Sequence, residues 1–328
     1  MNILLAIDSS ASAHAALMAT LARPWPAGTD FRVLTVVPDA LRDKIRGGQI
    51  SPDLSQAQRL VNVAMSRIES RNVDSIVTGE ILVGNPAKTI AKLADSWPAD
   101  LVIVGSHDFA PLERFLMGSV SKSVLHKANC SVLVARDHAD GLMGCRQMDR
   151  VMLTVDDSPS SKAAVDFVLK ATWPEETQFY ILSVRNPFYS GFVYEPSSVM
   201  MANALDYEEE YRRNLEDSMH RVLLQFQNRF GAFNIEFCVM EGRAENVIPE
   251  VARDWGAQLI VLGSHGRQDP AKRSLGSVPD QVAMQANCSV QVIRTNLPQP
   301  TIVRDRRQEP VSMSSTAPFK SLNVHHRR

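Results

Sequence analysis

Ile3-Leu4-Leu5-Ala6-Ile7-Asp8-Ser9-Ser10 opens the chain and returns 148 residues later as Val151-Met152-Leu153-Thr154-Val155-Asp156-Asp157-Ser158. Trp25-Pro26 returns as Trp173-Pro174 at the same offset. Further on, Asp100-Leu-Val-Ile-Val-Gly-Ser-His107 is answered by Gln258-Leu-Ile-Val-Leu-Gly-Ser-His265, now 158 residues away. Ala128-Asn-Cys-Ser-Val-Leu-Val-Ala-Arg136 and Ala286-Asn-Cys-Ser-Val-Gln-Val-Ile-Arg294 keep that second offset. A net insertion of 10 residues between the second and third strands of the second copy aligns every anchor. Self-similarity of this kind marks the duplication of one folding unit.

Within each copy, short apolar runs alternate with helical stretches. The strands are Ile3 to Ile7, Phe31 to Val37, Ser75 to Leu82, Leu101 to Val104 and Val132 to Ala135 in the first copy. They are Val151 to Val155, Phe179 to Val184, Asn234 to Met240, Leu259 to Leu262 and Val290 to Ile293 in the second. A long polar helix (Gln56 to Arg71; Tyr207 to Phe230) and a short one ending near Trp97 or Trp255 lie between them. Apolar fourth strands suit a sheet covered on both faces, and strand–helix alternation implies a doubly wound parallel sheet in each half. The expected units are residues 1–137 and 148–295, joined through the Gly/Met/Asp stretch from Asp137 to Asp149. From 296 to 328 the apolar period fails, and prolines and Ser/Thr clusters predict disorder.

Composition limits the function. An apolar fraction of 45% with 22% charged residues is that of a globular protein. Lys+Arg 35 against Asp+Glu 36 gives a net charge of -1, so no bulk pull toward nucleic acid or membrane is expected. The tail carries +4, which leaves -5 on the rest; solvation of the tail and docking on an acidic partner both stay open. No apolar run reaches the ~20 residues of a membrane span. Asp8 interrupts the N-terminal apolar stretch, which lacks a basic leader, so a cytoplasmic location is expected. Cys130, Cys145, Cys238 and Cys288 form no Cys-x-x-Cys pair and read as small, reduced hydrophobes.

The segment richest in chemistry is Gly263-Ser264-His265-Gly266, followed nine residues later by Gly276-Ser277-Val278. It leaves a buried strand and opens a helix. Glycines let the backbone approach a ligand closely, and the first amides of a helix, with its dipole, attract an anion. Arg267, Lys272 and Arg273 lie between and would screen phosphate charge. Pro279 removes one amide, and Ser277 with Asp280 reads as a capping box.

The spacing Gly-x2-Gly-x9-Gly-Ser, with Asp at the end of the first strand, resembles the ATP-binding subgroup of the universal stress protein family. The likeness covers both copies. It implies a five-stranded parallel α/β fold related to adenine nucleotide hydrolases, ATP as ligand, and Mg²⁺ or Mn²⁺ beside the triphosphate. Carried over, Asp156 would meet the ribose, Thr154 and Val184 would border the adenine, and residues 263–267 with 276–278 would wrap the phosphates. The matching positions of the first copy are Ala6, Asp8, Val36, Gly105, Ser106, His107, Gly118, Ser119 and Val120. There Asp108 replaces the second glycine, and a carboxylate ~4 Å from a phosphate charge costs about 4 kcal/mol at an effective dielectric of ~20. The first copy is therefore the weaker site. In the resembled family the last strands (Ser131 to Arg136; Ser289 to Arg294) mediate pairing, so a homodimer or an intramolecular pseudo-dimer is implied.

These features lead to a stress-response protein, not an enzyme, that acts as a nucleotide-dependent sensor or adaptor. Slow ATP hydrolysis and a binding module for a non-nucleotide ligand are the alternatives. Asp8 and Asp156 read equally as helix caps. His107 and His265 read as loop packing, since no carboxylate–His–nucleophile set is visible. The aromatic insertion at 186–206 reads as cover for a sheet edge or as a lid.

Overall fold

The computed structural model describes residues 1–41, 52–72, 74–106, 117–136, 148–185, 198–266 and 275–295. The first half runs β1 (Asn2–Ala6), α1 (Ala11–Leu21), β2 (Asp30–Val37), a 3-10 turn (Asp39–Leu41), α2 (Pro52–Glu69), β3 (Ile76–Val83), α3 (Pro86–Ser96), β4 (Leu101–Gly105), α4 (Ser119–Lys127) and β5 (Ser131–Ala135). The second runs β6 (Arg150–Thr154), α5 (Pro159–Lys170), β7 (Gln178–Arg185), α6 (Ser198–Phe230), β8 (Ile235–Glu241), α7 (Ala244–Trp255), β9 (Leu259–Gly263), α8 (Ser277–Gln285) and β10 (Ser289–Ile293). The expected strands all form, with ends shifted by a residue. The long helix starts at Ser198, not Tyr207, so 198–206 extends a helix instead of belonging to an irregular insertion. Its Met, Ala and Leu residues favour that state. Residues 186–197 of the insertion, and the tail at 296–328, lie outside the described residues.

Each half is a parallel five-stranded sheet, and the two fuse into one ten-stranded sheet of order β3-β2-β1-β4-β5-β10-β9-β6-β7-β8. The seam between β5 and β10 is antiparallel, with Gln291 opposite Leu133. The expected pseudo-dimer through the last strands thus occurs within one chain. Edges that would otherwise invite foreign strands satisfy each other there. α1, α2, α5 and α6 bury their apolar faces on one side of the sheet; α3, α4, α7 and α8 do so on the other.

The repeated Trp-Pro has a packing origin. The indole nitrogens of Trp25 and Trp173 donate to Thr20 O at 2.7 Å and Val168 O at 2.8 Å, closing the ends of α1 and α5. Each ring then meets its neighbouring phenylalanine edge-on, Trp25 with Phe31 and Trp173 with Phe179. Such buried aromatic pairs carry much of a core's stability.

Two arginines lock the seam reciprocally. Arg136 reaches from the first half into the second, donating to Ala283 O at 2.6 Å and Cys288 O at 3.4 Å. Arg294 donates to Leu125 O at 2.9 Å in the first half. Cations at the last carbonyls of α4 and α8 satisfy groups that a helix leaves unpaired.

Candidate functional site

In each half the chain leaves the first strand toward one side and returns on the other, so the sheet order reverses between β1 and β4 and between β6 and β9. The carboxyl ends of strands at such a switch form a natural crevice. There the second half brings together Asp156, Ser264, His265 and Gly266 with the start of α8.

Asp156 follows β6 and does not cap α5 itself. Its Oδ1 accepts the Ser158 amide at 3.1 Å, and Ser158 is the N-cap, its hydroxyl accepting from Ser161 N. The first half repeats this with Ser10 as N-cap and Asp8 Oδ1 accepting from Ser10 N at 2.9 Å. The other carboxylate oxygen of Asp156 is turned toward the glycine loop: a Cβ placed on Gly266 would lie 3.3 Å from Oδ2. Glycine here keeps open the space beside the carboxylate.

Gly263 has a packing reason of its own to lack a side chain. A Cβ there would come within 2.7 Å of Ser160 C and 2.8 Å of Ser161 N. The equivalent Gly105 would drive a Cβ into the Ser12 carbonyl. Both glycines therefore permit the first turn of α5 or α1 to rest on the strand end. Helix–sheet contact thus accounts for the absence of a side chain at both positions.

Two further expectations change. The Gly276 amide donates to Ser264 O at 2.9 Å, so it is not an orphan donor. Gly276 is also the N-cap of α8 and no side chain caps this helix, so the Ser277–Asp280 box does not form. Pro279 contributes to this, because its ring nitrogen has no proton and Asp280 N already bonds Gly276 O. The amides of Ser277 and Val278 are left at the positive end of α8. Thr154 and Val184 lie at the carboxyl ends of β6 and β7, and Val184 and Val278 pack, partly buried, against the same cluster. In the first half Ala6 and Val36 pack against that same cluster, and Gly118 is the N-cap before Ser119 and Val120. Ser106 is buried, its amide bonded to Ala135 O. His107, Asp108 and Arg267 lie outside the described residues.

Sequence reading missed Ser160, which holds the loop. Its hydroxyl donates to His265 O and accepts His265 N at 3.2 Å, while Ser158 Oγ donates to the same carbonyl at 3.1 Å. Asp-x-Ser-x-Ser recurs as Asp8 to Ser12 and Asp156 to Ser160, a signal available in the sequence. The His265 ring lies with Nδ1 2.9 Å from Ser264 Oγ. Asp157, at φ 65°, turns away from the crevice to meet Lys162 at 3.0 Å and Ser218 at 3.1 Å. Partial burial would raise its carboxyl, but the bonds from Lys162 and Ser218 and the charges of Lys162 and Arg221 outweigh it and hold it below the usual range.

Among the described residues no group of three or more His, Cys, Asp or Glu side chains is placed to hold a metal. A depression of about 500 Å³ lined by Asp149, Glu175 and Gln178 lies at the opposite, amino end of the strands.

The profile of the universal stress protein family matches residues 1–136 and again 148–294. The chain belongs to the universal stress protein family. A universal stress protein of Mycolicibacterium smegmatis is 26% identical over 312 residues, covering 89% of this chain and 97% of that one. One from Mycobacterium tuberculosis (strain H37Rv) is 28% identical over 225 residues, covering 65% of this chain and 67% of its own. The crystal structure of a universal stress protein from Archaeoglobus fulgidus superposes with a TM-score of 0.58 at 17% identity, covering 89% of this chain and 98% of that chain. At that identity the likeness speaks for the fold. Two universal stress protein units thus make up most of this chain, and among the described residues no helix is long and apolar enough to cross a membrane.

Proposed function

We propose that the second unit binds ATP and that the protein serves the stress response as a nucleotide-dependent sensor or adaptor. The supporting observation is the juxtaposition of Asp156 Oδ2 with the side-chain-free face of Gly266, beside the α8 amides of Ser277 and Val278. A carboxylate suits ribose hydroxyls, and helix amides suit phosphate oxygens. Thr154 and Val184 offer the adenine an edge between them. Mg²⁺ or Mn²⁺ would arrive with the triphosphate, since the described side chains offer no cluster to hold it independently. The ligand would stabilise the folded state by mass action, about 2.7 kcal/mol at 100 times Kd.

The first unit, whose sequence has Asp108 where the second has Gly266, is in this reading a weaker site and a scaffold. The test is to denature purified protein and assay the released small molecules for adenine nucleotide, alongside a thermal shift with ATP and Mg²⁺. Gly266→Asp copies the first unit's substitution and should abolish carriage while the protein stays folded. A chain that neither carries nor takes up ATP at millimolar concentration overturns the proposal.

A further inference from the structure

The seam between the halves is nearly symmetric, but its centre is not. Gln291 of β10 stands opposite Leu133 of β5, and these two residues occupy equivalent positions in the duplicated sequence. Gln291 is fully buried, and its Oε1 accepts from Arg23 Nη1 at 3.3 Å. Arg23, just past α1 in the first half, is itself 4% exposed. Its guanidinium lies 4.1 Å from the Trp25 ring centre, 4.9 Å from Trp173 and 5.2 Å from Phe167. The charge is thus held between the equivalent tryptophans of both halves. Burial pulls its pKa down to about 9.

The matching positions on the other side of the seam are small and apolar. Ala171 is the counterpart of Arg23, Ala19 of Phe167, and Leu133 of Gln291. Ala19 and Ala171 are both buried. One side therefore combines a cation, an acceptor and a large ring contributed by both halves, while the other combines two alanines and a leucine.

We infer that Arg23, Gln291 and Phe167 form a key that restricts this seam to one first unit paired with one second unit. Pairing two first units would set each Arg23 against Ala19 and Leu133, with no Gln291 acceptor and with the partner's Trp25 ring but no counterpart of Phe167. Pairing two second units would set Gln291 against Gln291 and Phe167 against Ala171, with no guanidinium to fill the space. A first–first pairing removes the one side-chain acceptor that Arg23 has from Gln291, and both wrong pairings misfit volume, which is unfavourable. Specificity here comes from penalising the wrong partners as much as from favouring the right one. The surface that could make copies of this chain pair through identical halves is closed to that use.

The experiment uses the full chain with Leu133→Cys, in which two first units paired about this position would bring the two introduced thiols face to face. Cys130→Ala, Cys145→Ser, Cys238→Ser and Cys288→Ala remove the competing thiols. The chain is unfolded, then refolded oxidatively at rising concentration, and the interchain disulfide between the introduced thiols is quantified by mass spectrometry. With Arg23 and Gln291 present the cross-link should stay at background. In Arg23→Met/Gln291→Leu, which keeps the volume, it should rise by at least about tenfold, the change that corresponds to ~1.4 kcal/mol of discrimination. Gln291→Leu alone should give an intermediate rise, which keeps the test available if the double variant fails to fold. Equal cross-linking in native and variant chains, or none in any of them, overturns the inference.

Discussion

His126 of α4 and Asp280 of α8 meet across the boundary between the two units, Nε2 to Oδ1 at 2.9 Å. Their sequence counterparts also meet: Lys122 Nζ lies 3.7 Å from Met284 Sδ. One side of the pseudo-dyad carries a polar clasp, and the other a softer contact.

Asp280 sits in the first turn of α8, where its carboxylate competes with any other anion for the positive helix end. Asp280→Asn should therefore tighten ATP binding roughly threefold, within the 0.3–1 kcal/mol such helix-end charges carry. The pair is partly exposed, so the same change should shift stability by less than about 1 kcal/mol. Titration calorimetry and urea unfolding measure the two; unchanged or weaker ATP affinity would count against the proposed phosphate position.

Gly105→Ala and Gly263→Ala should each destabilise by about 3 kcal/mol, because backbone at the start of α1 or α5, joined at Gly263 by the Ser160 hydroxyl, occupies the space. Denaturant midpoints within the range of ordinary surface substitutions would show that α1 and α5 ride less closely on the sheet.

Gly79 and Phe237 are counterparts with opposite surroundings. A Cβ on Gly79 would overlap Val61 and crowd Met65, side chains of α2 packed onto β3, whereas Phe237 on edge strand β8 stays 48% exposed. Gly79→Ala should cost about 1–3 kcal/mol from overpacking. Phe237→Ala should cost clearly less, as half its ring is already in water. Thermal unfolding of both variants decides it; the reverse ranking would refute the packing difference.

Burial, reinforced by Asp95, pushes the Cys130 thiol up to about 12, and burial alone dominates at Cys288, also about 12. Unfolded thiols ionise near ~8.5. With the folded value raised, the unfolded chain loses protons first, so this part of the stability is complete below pH ~8.5 and declines as pH rises toward about 12. The slope is about 1.4 kcal/mol per pH unit for each thiol once past that value. Cys130→Ala/Cys288→Ala should unfold with a visibly flatter pH dependence between about 9 and 10 than the native chain. Parallel profiles would mean that the thiols are accessible to water.

Much of the site was legible because its residues fall at fixed positions after strands. The alternation of elements placed Gly266 and the start of α8 at one strand end, and the family resemblance added Asp156 to them. The duties of the individual glycines could not. Gly263 looks like a phosphate-loop residue in sequence, yet it is small because Ser160 and Ser161 press on it from α5. The hydroxyl of Ser160 holding His265 similarly links residues 105 apart in the chain.

Sequence by itself determined the duplication, the strand–helix order and the end of the sheet where chemistry gathers, since apolar period and turn residues are local properties of the chain. Tertiary structure alone decided that β5 and β10 join antiparallel into one sheet, and that Arg23 meets Gln291 at its centre. Contacts between residues 268 positions apart depend on how two finished surfaces fit, and no local pattern encodes that fit.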